Sequence, residues 1–345
     1  MTLHTPNYYP AFRCLAGECP HTCCAGWEVP IDPATAQYYF ALEGPMGDRL
    51  REALTVDDRG EAAFRCHGDR CPFLNDQNLC DIHIHLGEAR TGAVCRSHPR
   101  FSYDYGPLNE VGLCASCPEA LRLILEEDMA LTATEDDHPG ADHPALLKPL
   151  LTARETAWDL LAVEEATLSQ RFQALLLFAN EVQVLLDEGR VGDIPQLCEV
   201  YREGFPLLEG VDLPPREEAL DACLTVLGEL EILTPEWRDL LERGRGKLTA
   251  PEVLSLDQGR RAGTYFLYRH WLRGVWDFDV LTWAAFAVLA VAVATLLAPL
   301  QEEGFPGALR LLCQELEHHQ GNLNAFQDTL WERVTFPQLL ALAEL

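Results

Sequence analysis

The pattern of hydrophobic and polar residues differs between the first third of the chain and the rest. From residue 145 onward, apolar residues recur at the i, i+3, i+4 and i+7 spacing of amphipathic helices. This pattern predicts an α-helical domain over residues 145–345. The predicted helices cover residues 146–161, 164–187, 194–201, 216–231, 235–243, 251–271, 280–300, 307–319 and 323–345.

The first third has short apolar pieces between turn residues and little periodicity. Asp32 and Pro33 are typical of a helix start, with the acid as N-cap and the proline in the first turn. That helix should end at Gly44, and a second short helix is expected over residues 47–54. A strand is expected over residues 61–66, and residues 66–101 are rich in Gly, Asn, Asp and Pro, which suits a loop-rich region held by metal.

An acidic, proline-containing stretch without periodicity, residues 132–144, is the best candidate for a linker. It gives two predicted domains, 1–131 and 145–345. The fold class is therefore mainly α, with an irregular, cysteine-rich, metal-binding N-terminal region followed by an α-helical domain.

One predicted helix, residues 280–300, carries no charge and is long enough to cross a bilayer. The residues that flank it are acidic, whereas membrane spans are usually flanked by Lys or Arg. A helix buried on all sides in a helical domain explains the same pattern. We favour burial over a membrane span.

The composition is that of a globular chain: 345 residues, 48% of them hydrophobic, enough for a large core without disulfides. The first residues have neither the basic nor the apolar region of a signal peptide, so we expect a cytoplasmic protein. Many cysteines in such a protein are expected to be reduced thiols, and clustered reduced thiols usually bind metal. Structural disulfides in an exported protein are the alternative.

The charge balance is 26 basic against 54 acidic residues, a net charge of −28. Such a surface repels nucleic acid phosphate and attracts basic partners, so no nucleic acid ligand is expected and a lysine-rich substrate would suit it. Acidity that serves solubility alone explains the same balance.

Ten of the thirteen cysteines lie between Cys14 and Cys117. Four-thiolate sets suit zinc or an iron–sulfur cluster. Neighbouring side chains rarely reach one ion together, so within the adjacent pair Cys23–Cys24 one residue should ligate while the other packs or serves a second site. The radical S-adenosylmethionine spacing C-x3-C-x2-C and the Ser–His–Asp pattern of hydrolases are both absent from the sequence.

Other residues among the cysteines could take part. His67, His83, His85 and His98 could bind a metal, with His83 and His85 on one face of a strand, but the cysteines alone fill one or two sites. Arg96 and Arg100 could bind a carboxylate or phosphate, or could balance thiolate charge. Trp27 is expected to pack over the metal loop, with substrate stacking as the alternative.

The cysteine spacing resembles the flagellin lysine N-methylase (FliB-type) family. The segments that carry the resemblance are F-x-C-x4-C-x3-C-C-x-G-W-x-V-x-I-D from Phe12, C-P-F-L-x5-C-x-I-x12-C-x3-P-R from Cys71, and S-C-P-E from Ser116. The middle segment is also similar to the zinc- or iron-chelating cysteine clusters of YkgJ-type proteins. Cys66 and Cys114 lie outside the pattern.

The resemblance implies N-methylation of lysine side chains on flagellin or a similar surface protein, with S-adenosylmethionine as the methyl donor. It also implies an iron–sulfur cluster, of the 4Fe-4S type, or alternatively zinc. The metal-binding positions it implies are Cys14, Cys19, Cys23, Cys24, Cys71, Cys80, Cys95 and Cys117. A 4Fe-4S cluster takes four thiolates, so the other four would be structural or would hold a second metal. The alternative is a zinc- or iron-chelating protein without catalysis.

Overall fold

The computed structural model describes residues 2–25, 29–65, 70–135, 145–208, 210–245 and 254–345. The chain is mainly helical, as predicted, with two small sheets in its first 135 residues. It divides into two compact units, a cysteine-rich unit of residues 12–101 and 117–120, and a helical unit of residues 1–11, 102–116 and 121–345. The predicted domain boundaries, 1–131 and 145–345, stay a prediction.

The cysteine-rich unit combines a three-stranded antiparallel sheet with short helices. Its strands are β2 (Pro30–Ile31), β3 (Leu54–Val56) and β4 (Ala62–Phe64), and its helices are α1 (Pro33–Ala41), α2 (Pro45–Ala53), α3 (Asp81–Leu86) and α4 (Ala93–Ser97). Tyr39, Phe64 and Phe73 form the centre of its core, with ring centroids 5.9 Å and 4.8 Å apart along the series. The predicted helix start at Asp32 is confirmed. The strand predicted over residues 61–66 is present as β4 but is shorter, and residue 66 lies outside the described residues.

The sheet of the helical unit has the order β5-β6-β1-β7. Its strands are β1 (Thr2–Pro6), β5 (Arg100–Asp104), β6 (Leu108–Leu113) and β7 (Leu131–Glu135), and β5 enters it from the cysteine-rich unit. β1 runs parallel to β6 and antiparallel to β7. Glu110 on β6 accepts two hydrogen bonds from Arg154, of 2.7 and 2.6 Å, and both side chains are buried. Arg154 lies on the helix that follows β7 in the chain, so this ion pair attaches that helix to the sheet.

The remaining helices form the body of the helical unit. They are α5 (Pro118–Glu126, which starts in the cysteine-rich unit), α6 (Leu147–Ala162), α7 (Leu168–Asp187), α8 (Ile194–Glu203), α9 (Arg216–Glu229), α10 (Pro235–Gly244), α11 (Leu256–His270), α12 (Gly274–Asp277), α13 (Leu281–Leu297), α14 (Gly304–Glu317), α15 (Gln320–Arg333) and α16 (Phe336–Leu342).

Helix α13 lies in the core of this unit, where it packs against α7, α11 and α14. The segment Leu281–Leu300 is long and apolar enough to cross a membrane, but 94% of its apolar window is buried inside the structure. Burial by neighbouring helices accounts for a helix that is apolar on every face, and the structure therefore agrees with the interpretation favoured from the sequence.

Several predicted boundaries are wrong, and each error has a local cause. Residues 132–135 of the predicted linker form the exposed edge strand β7, whereas residues 136–144 lie outside the described residues. The predicted helix 323–345 is two helices, because Thr335 and Gln338 form a capping box that starts α16. A second capping box, of Thr167 and Gln170, starts α7 four residues later than predicted. Helix α11 begins at Leu256, and residues 251–253 of its predicted start lie outside the described residues.

Candidate metal centre

The eight cysteines that match the family pattern all belong to the cysteine-rich unit, and each is an exposed or partly exposed residue whose thiol is not in a disulfide. Three segments of this unit carry seven of them: the loop of residues 14–24, the turn of residues 71–80, and helix α4 with Cys95. Cys117 is the eighth and directly precedes helix α5. Exposed thiols in close-set loops contrast with the fully buried Cys198, Cys223 and Cys313 of the helical unit.

The turn between Cys71 and Cys80 is closed by one asparagine side chain. Asn75 Oδ1 accepts hydrogen bonds from the backbone N–H groups of Gln77 and Leu79, both at 3.0 Å. Asn78 has a φ of 55°, in the left-handed region that asparagine tolerates better than most residues. This local geometry brings Cys80 back toward Cys71 and places it at the N-terminus of α3.

The first cysteine loop is joined to this turn by backbone contacts. The backbone N–H of Cys71 donates to the carbonyl of Cys24 at 2.9 Å. Gly17 comes so close to the same turn that an added Cβ would lie 2.7 Å from the carbonyl oxygen of Gln77. A close approach of two backbones is a position that requires glycine.

Asp32 positions the segment that carries Cys95. Its Oδ1 accepts from the backbone N–H of Thr35 at 3.0 Å and so caps α1, while its Oδ2 accepts from Ala93 N–H at 2.8 Å at the start of α4. One carboxylate therefore connects the beginnings of two helices, and Cys95 lies in the first turn of the second. The sequence predicted only the first of these roles.

Charge effects between thiols link four cysteines around the turn of residues 71–80. Burial raises the pKa of Cys71 to about 12, and the thiolates of Cys24, Cys80 and Cys95 add to that effect. Although Cys95 is exposed as a residue, the protein around its thiol displaces part of the water and raises its pKa to about 11, again with contributions from Cys24 and Cys80. We call these residues the second thiol group: Cys24, Cys71, Cys80 and Cys95.

The other four cysteines influence one another in the same way. Burial raises the pKa of Cys117 to about 11; the backbone N–H groups of Ala120 and Glu119 oppose this, and Cys19 and Cys14 add to it. The charges of Cys14 and Cys117 also raise the pKa of Cys23. We call these residues the first thiol group: Cys14, Cys19, Cys23 and Cys117.

The adjacent pair Cys23–Cys24 connects the two groups. A hydrogen bond between the two side chains raises the pKa of Cys23 and lowers that of Cys24 to about 7, where the Thr22 hydroxyl and the Arg70 guanidinium also favour the thiolate. A thiolate at neutral pH is the form that binds metal. Sequence reasoning missed Arg70, although its position directly before Cys71 was a signal for it.

The donor chemistry of each thiol group fits a four-thiolate site, in the kind and the number of its ligands. The side chains are nevertheless too far apart for such a site. Among the described residues, no three Cys, His, Asp or Glu side chains lie close enough together to hold a metal ion. The structure thus groups the thiols without arranging them around an ion.

The remaining residues singled out in this region have other surroundings. His83 and His85 are exposed on helix α3, so the prediction that they share a strand face is wrong. Arg96 donates to the carbonyl of Thr91, and its charge helps to lower the pKa of Asp32, which gives it a structural role. The guanidinium of Arg100 lies 5.1 Å above the ring of Phe12. Trp27, Cys66 and His67 lie outside the described residues.

The helical unit contains a buried polar network that the sequence did not indicate. Glu317 lies at its centre, 2.8 Å from His270 Nε2, 3.1 Å from Arg269 Nε and 2.9 Å from the Tyr265 hydroxyl, which donates to it. On α11, Arg269 and His270 are adjacent and lie about one helical turn after Tyr265. Cys114, which is outside the family pattern, is buried beside Arg269.

No family model matches the chain, and no solved structure matches it. The chain is 27% identical over 234 residues to proteins named lysine-N-methylase in Salmonella typhimurium and Salmonella choleraesuis, a stretch that covers 62% of this chain and 57% of each relative. It is 27% identical over 143 residues to the flagellar biosynthetic protein FliU of Salmonella muenchen, covering 39% of this chain and 83% of that protein. The chain thus spans little more than half the length of the two lysine-N-methylases.

Proposed function

Because these relatives confirm the resemblance of the chain to the flagellin lysine N-methylase family, we propose that it is a protein-lysine N-methyltransferase that acts on flagellin or a similar surface protein. S-adenosylmethionine is the proposed methyl donor, and the cytoplasm is the proposed location. The observation that carries this proposal is the sequence similarity to the named lysine-N-methylases, which extends over 234 residues and so beyond the cysteine pattern.

The proposed reaction is a direct methyl transfer. The neutral Nζ of the substrate lysine attacks the methyl carbon of the sulfonium, the carbon–sulfur bond breaks, and a proton leaves the new methylammonium group for solvent. Lysine must reach the donor deprotonated and aligned, because only the free amine is nucleophilic. A chain with a net charge of −28 attracts lysine-bearing substrates over the range that salt screening allows.

We also propose that the cysteine-rich unit binds metal, with an iron–sulfur cluster favoured over zinc. The first thiol group and the second thiol group would each hold one metal site, which accounts for eight cysteines where one cluster uses four. This arrangement places Cys23 and Cys24 in different sites. When bound, the metal would fix loops that otherwise have little core of their own, since the energy of metal binding contributes to folding.

The two-site proposal can be tested by exchanging cysteines one group at a time. Cys14→Ser should lose the metal of the first thiol group and keep that of the second. Cys71→Ser should lose the metal of the second thiol group and keep that of the first. Iron, zinc and acid-labile sulfide are measured on anaerobically purified protein, with Cys198→Ser in the helical unit as the control. Complete loss of metal from either variant would instead indicate a single shared site.

Donor binding tests the enzymatic proposal separately. Titration of the metal-loaded protein with S-adenosylmethionine in a calorimeter should show saturable binding of about one equivalent. Absence of binding by a protein with its full metal content would contradict the methyltransferase and would favour a metal-chelating protein without catalysis.

A further inference from the structure

Three exposed aromatic side chains lie around the start of α13 in the helical unit. Of the four large aromatic side chains that are exposed among the described residues, Trp276 and Phe278 come just before α13, and Trp331 reaches its first turn, where Trp331 Nε1 donates to Thr282 Oγ1. Trp276 and Phe278 are 59% and 60% exposed. Several exposed aromatic residues in one place usually mark a binding surface, whereas single exposed apolar residues are common on any protein.

Carboxylates lie among these rings. Asp277 separates Trp276 from Phe278, and Asp279 follows directly. Gln183 Nε2 donates at 2.9 Å both to the carbonyl of Phe278 and to Asp187, which brings a third acid to the same place. We call the three aromatic residues together with Asp187, Asp277 and Asp279 the aromatic–acidic surface.

The side chains of this surface are held in place by the protein beneath them. The Trp276 ring stacks on the buried Tyr105 with 6.5 Å between the centroids and 11° between the planes. Trp331 Nε1 donates to Thr282 Oγ1 at 2.7 Å, and Gln327 donates to Asp279 at 3.2 Å. Helix α15 is thus connected to the start of α13, and the rings of Trp276 and Trp331 are held in fixed orientations.

Phe278 occupies a backbone conformation that is unfavourable for its side chain. Its φ is 59°, in the left-handed region, where residues other than glycine and asparagine are strained. The strained residue at this helix end is a phenylalanine whose ring is mostly exposed, although glycine would fit the conformation without strain. An exposed aromatic ring at such a position contributes little to folding, which is expected where a residue is kept for binding.

The charge around the rings selects the kind of ligand. One arginine, Arg273, has its guanidinium 4.5 Å from the centre of the Trp283 ring, and its positive charge acts on Asp277. The carboxylates of the surface outnumber it three to one. The three carboxylates leave the aromatic–acidic surface attractive to cations and repulsive to anionic lipid or nucleic acid. Aromatic faces bind ammonium groups through cation–π attraction, and they bind methylated ammonium groups well.

We propose that the aromatic–acidic surface binds lysine side chains of the polypeptide substrate, before and after their methylation. This inference rests on the proposed function, since it names the surface by which the same protein would hold its lysine-bearing substrate. The surface serves docking and not catalysis. Its rings and carboxylates hold a lysine side chain as the charged ammonium group, whereas methyl transfer needs the neutral amine.

The test measures binding in the absence of any methyl donor. A fluorescent decapeptide of alternating lysine and serine is titrated with the full-length protein, and a matched peptide with norleucine in place of lysine keeps the aliphatic chain without its charge. The double variant Trp276→Ala/Phe278→Gly should bind the lysine peptide about tenfold more weakly. Phe40→Ala, which removes an exposed ring from the cysteine-rich unit, should leave binding unchanged. The glycine relieves the strain at position 278, and the melting temperature of the double variant checks that it is folded.

The outcomes separate this inference from the proposed function. Equal affinity of the double variant and the native chain for the lysine peptide, or equal affinity of the native chain for both peptides, would overturn the inference. Methyl transfer with an unchanged KM for protein substrate in the double variant would overturn it as well, while leaving the methyltransferase in place. Binding of the lysine peptide that depends on Trp276 and Phe278, in a protein that transfers no methyl group, would support the surface and contradict only the enzymatic proposal.

Discussion

Among the described residues, Ala16, Asn78 and Phe278 are the positions other than glycine with a positive φ. Asn78 lies in a turn that its own residue type favours, whereas Phe278 ends the short helix α12. The left-handed conformation costs a residue with a Cβ roughly 1–2 kcal/mol. This strain could not be predicted from the sequence, because it arises where α12 meets α13.

Two substitutions of Phe278 separate the cost of the backbone from the contribution of the ring. Phe278→Gly and Phe278→Ala both remove the ring, but only the glycine relieves the left-handed strain. We expect the free energy of unfolding of the glycine variant to exceed that of the alanine variant by about 1 kcal/mol. Chemical denaturation of the two proteins measures this difference, and equal stabilities would show that position 278 is not strained.

His270 makes the stability of the helical unit depend on pH. Burial lowers the pKa of this residue from 6.5 to about 4, although its contact with Glu317 acts in the opposite direction. The unfolded chain therefore binds the proton more readily. Stability from this group is fully present above pH 6.5 and is lost as the pH falls toward 4, by up to about 3 kcal/mol.

Replacing His270 by glutamine should reduce this dependence. His270→Gln keeps a hydrogen-bond donor for Glu317 but does not titrate, so the slope of unfolding free energy between pH 6.5 and 5 should fall by about half. The remainder is expected from His318, whose pKa is also lowered by burial to about 4. Denaturant unfolding at a series of pH values measures the slope, and an unchanged slope would mean that His270 is already charged in the folded protein.

At the scale of elements, the contact between the first cysteine loop and the turn of residues 71–80 sets the positions of the thiols. Gly17→Ala would place a methyl group against the carbonyl of Gln77. We expect it to destabilise the cysteine-rich unit by about 1–3 kcal/mol and to lower the metal bound by the first thiol group, which includes Cys14 and Cys19. Metal analysis and thermal unfolding are the measurements.

Gly192→Ala is the matched control, because an added Cβ there meets nothing within 4 Å. If both variants bind metal equally and melt at the same temperature, the close approach at Gly17 does not position the cysteine loop.

The elements also show what the sequence could and could not predict. Helices with a strong apolar period, such as α6 and α9, begin within one residue of their predicted starts. Strand β7 was missed because an exposed edge strand has no buried face and therefore no alternation of polar and apolar residues. The grouping of eight cysteines into two sets was also out of reach, since it depends on contacts such as Cys71 with Cys24 that join distant segments.

At the scale of the whole molecule, the composition bears on how the proposed lysine-directed activity can be measured. The chain is strongly acidic, and its only lysines are Lys148 and Lys247 among 26 basic residues. The protein therefore offers few lysines to its own proposed activity. This simplifies a methyl-transfer experiment, because methyl-lysine on the chain itself could form at only these two positions.

The most direct test of the proposed methyl transfer incubates metal-loaded protein with labelled S-adenosylmethionine and flagellin, followed by mass spectrometry of the digested proteins. We expect methyl groups on lysine Nζ atoms of flagellin, with the label absent when the donor or the protein is omitted. Intact metal content together with no methyl-lysine on flagellin, and none on a lysine-rich surface protein supplied in its place, would contradict it.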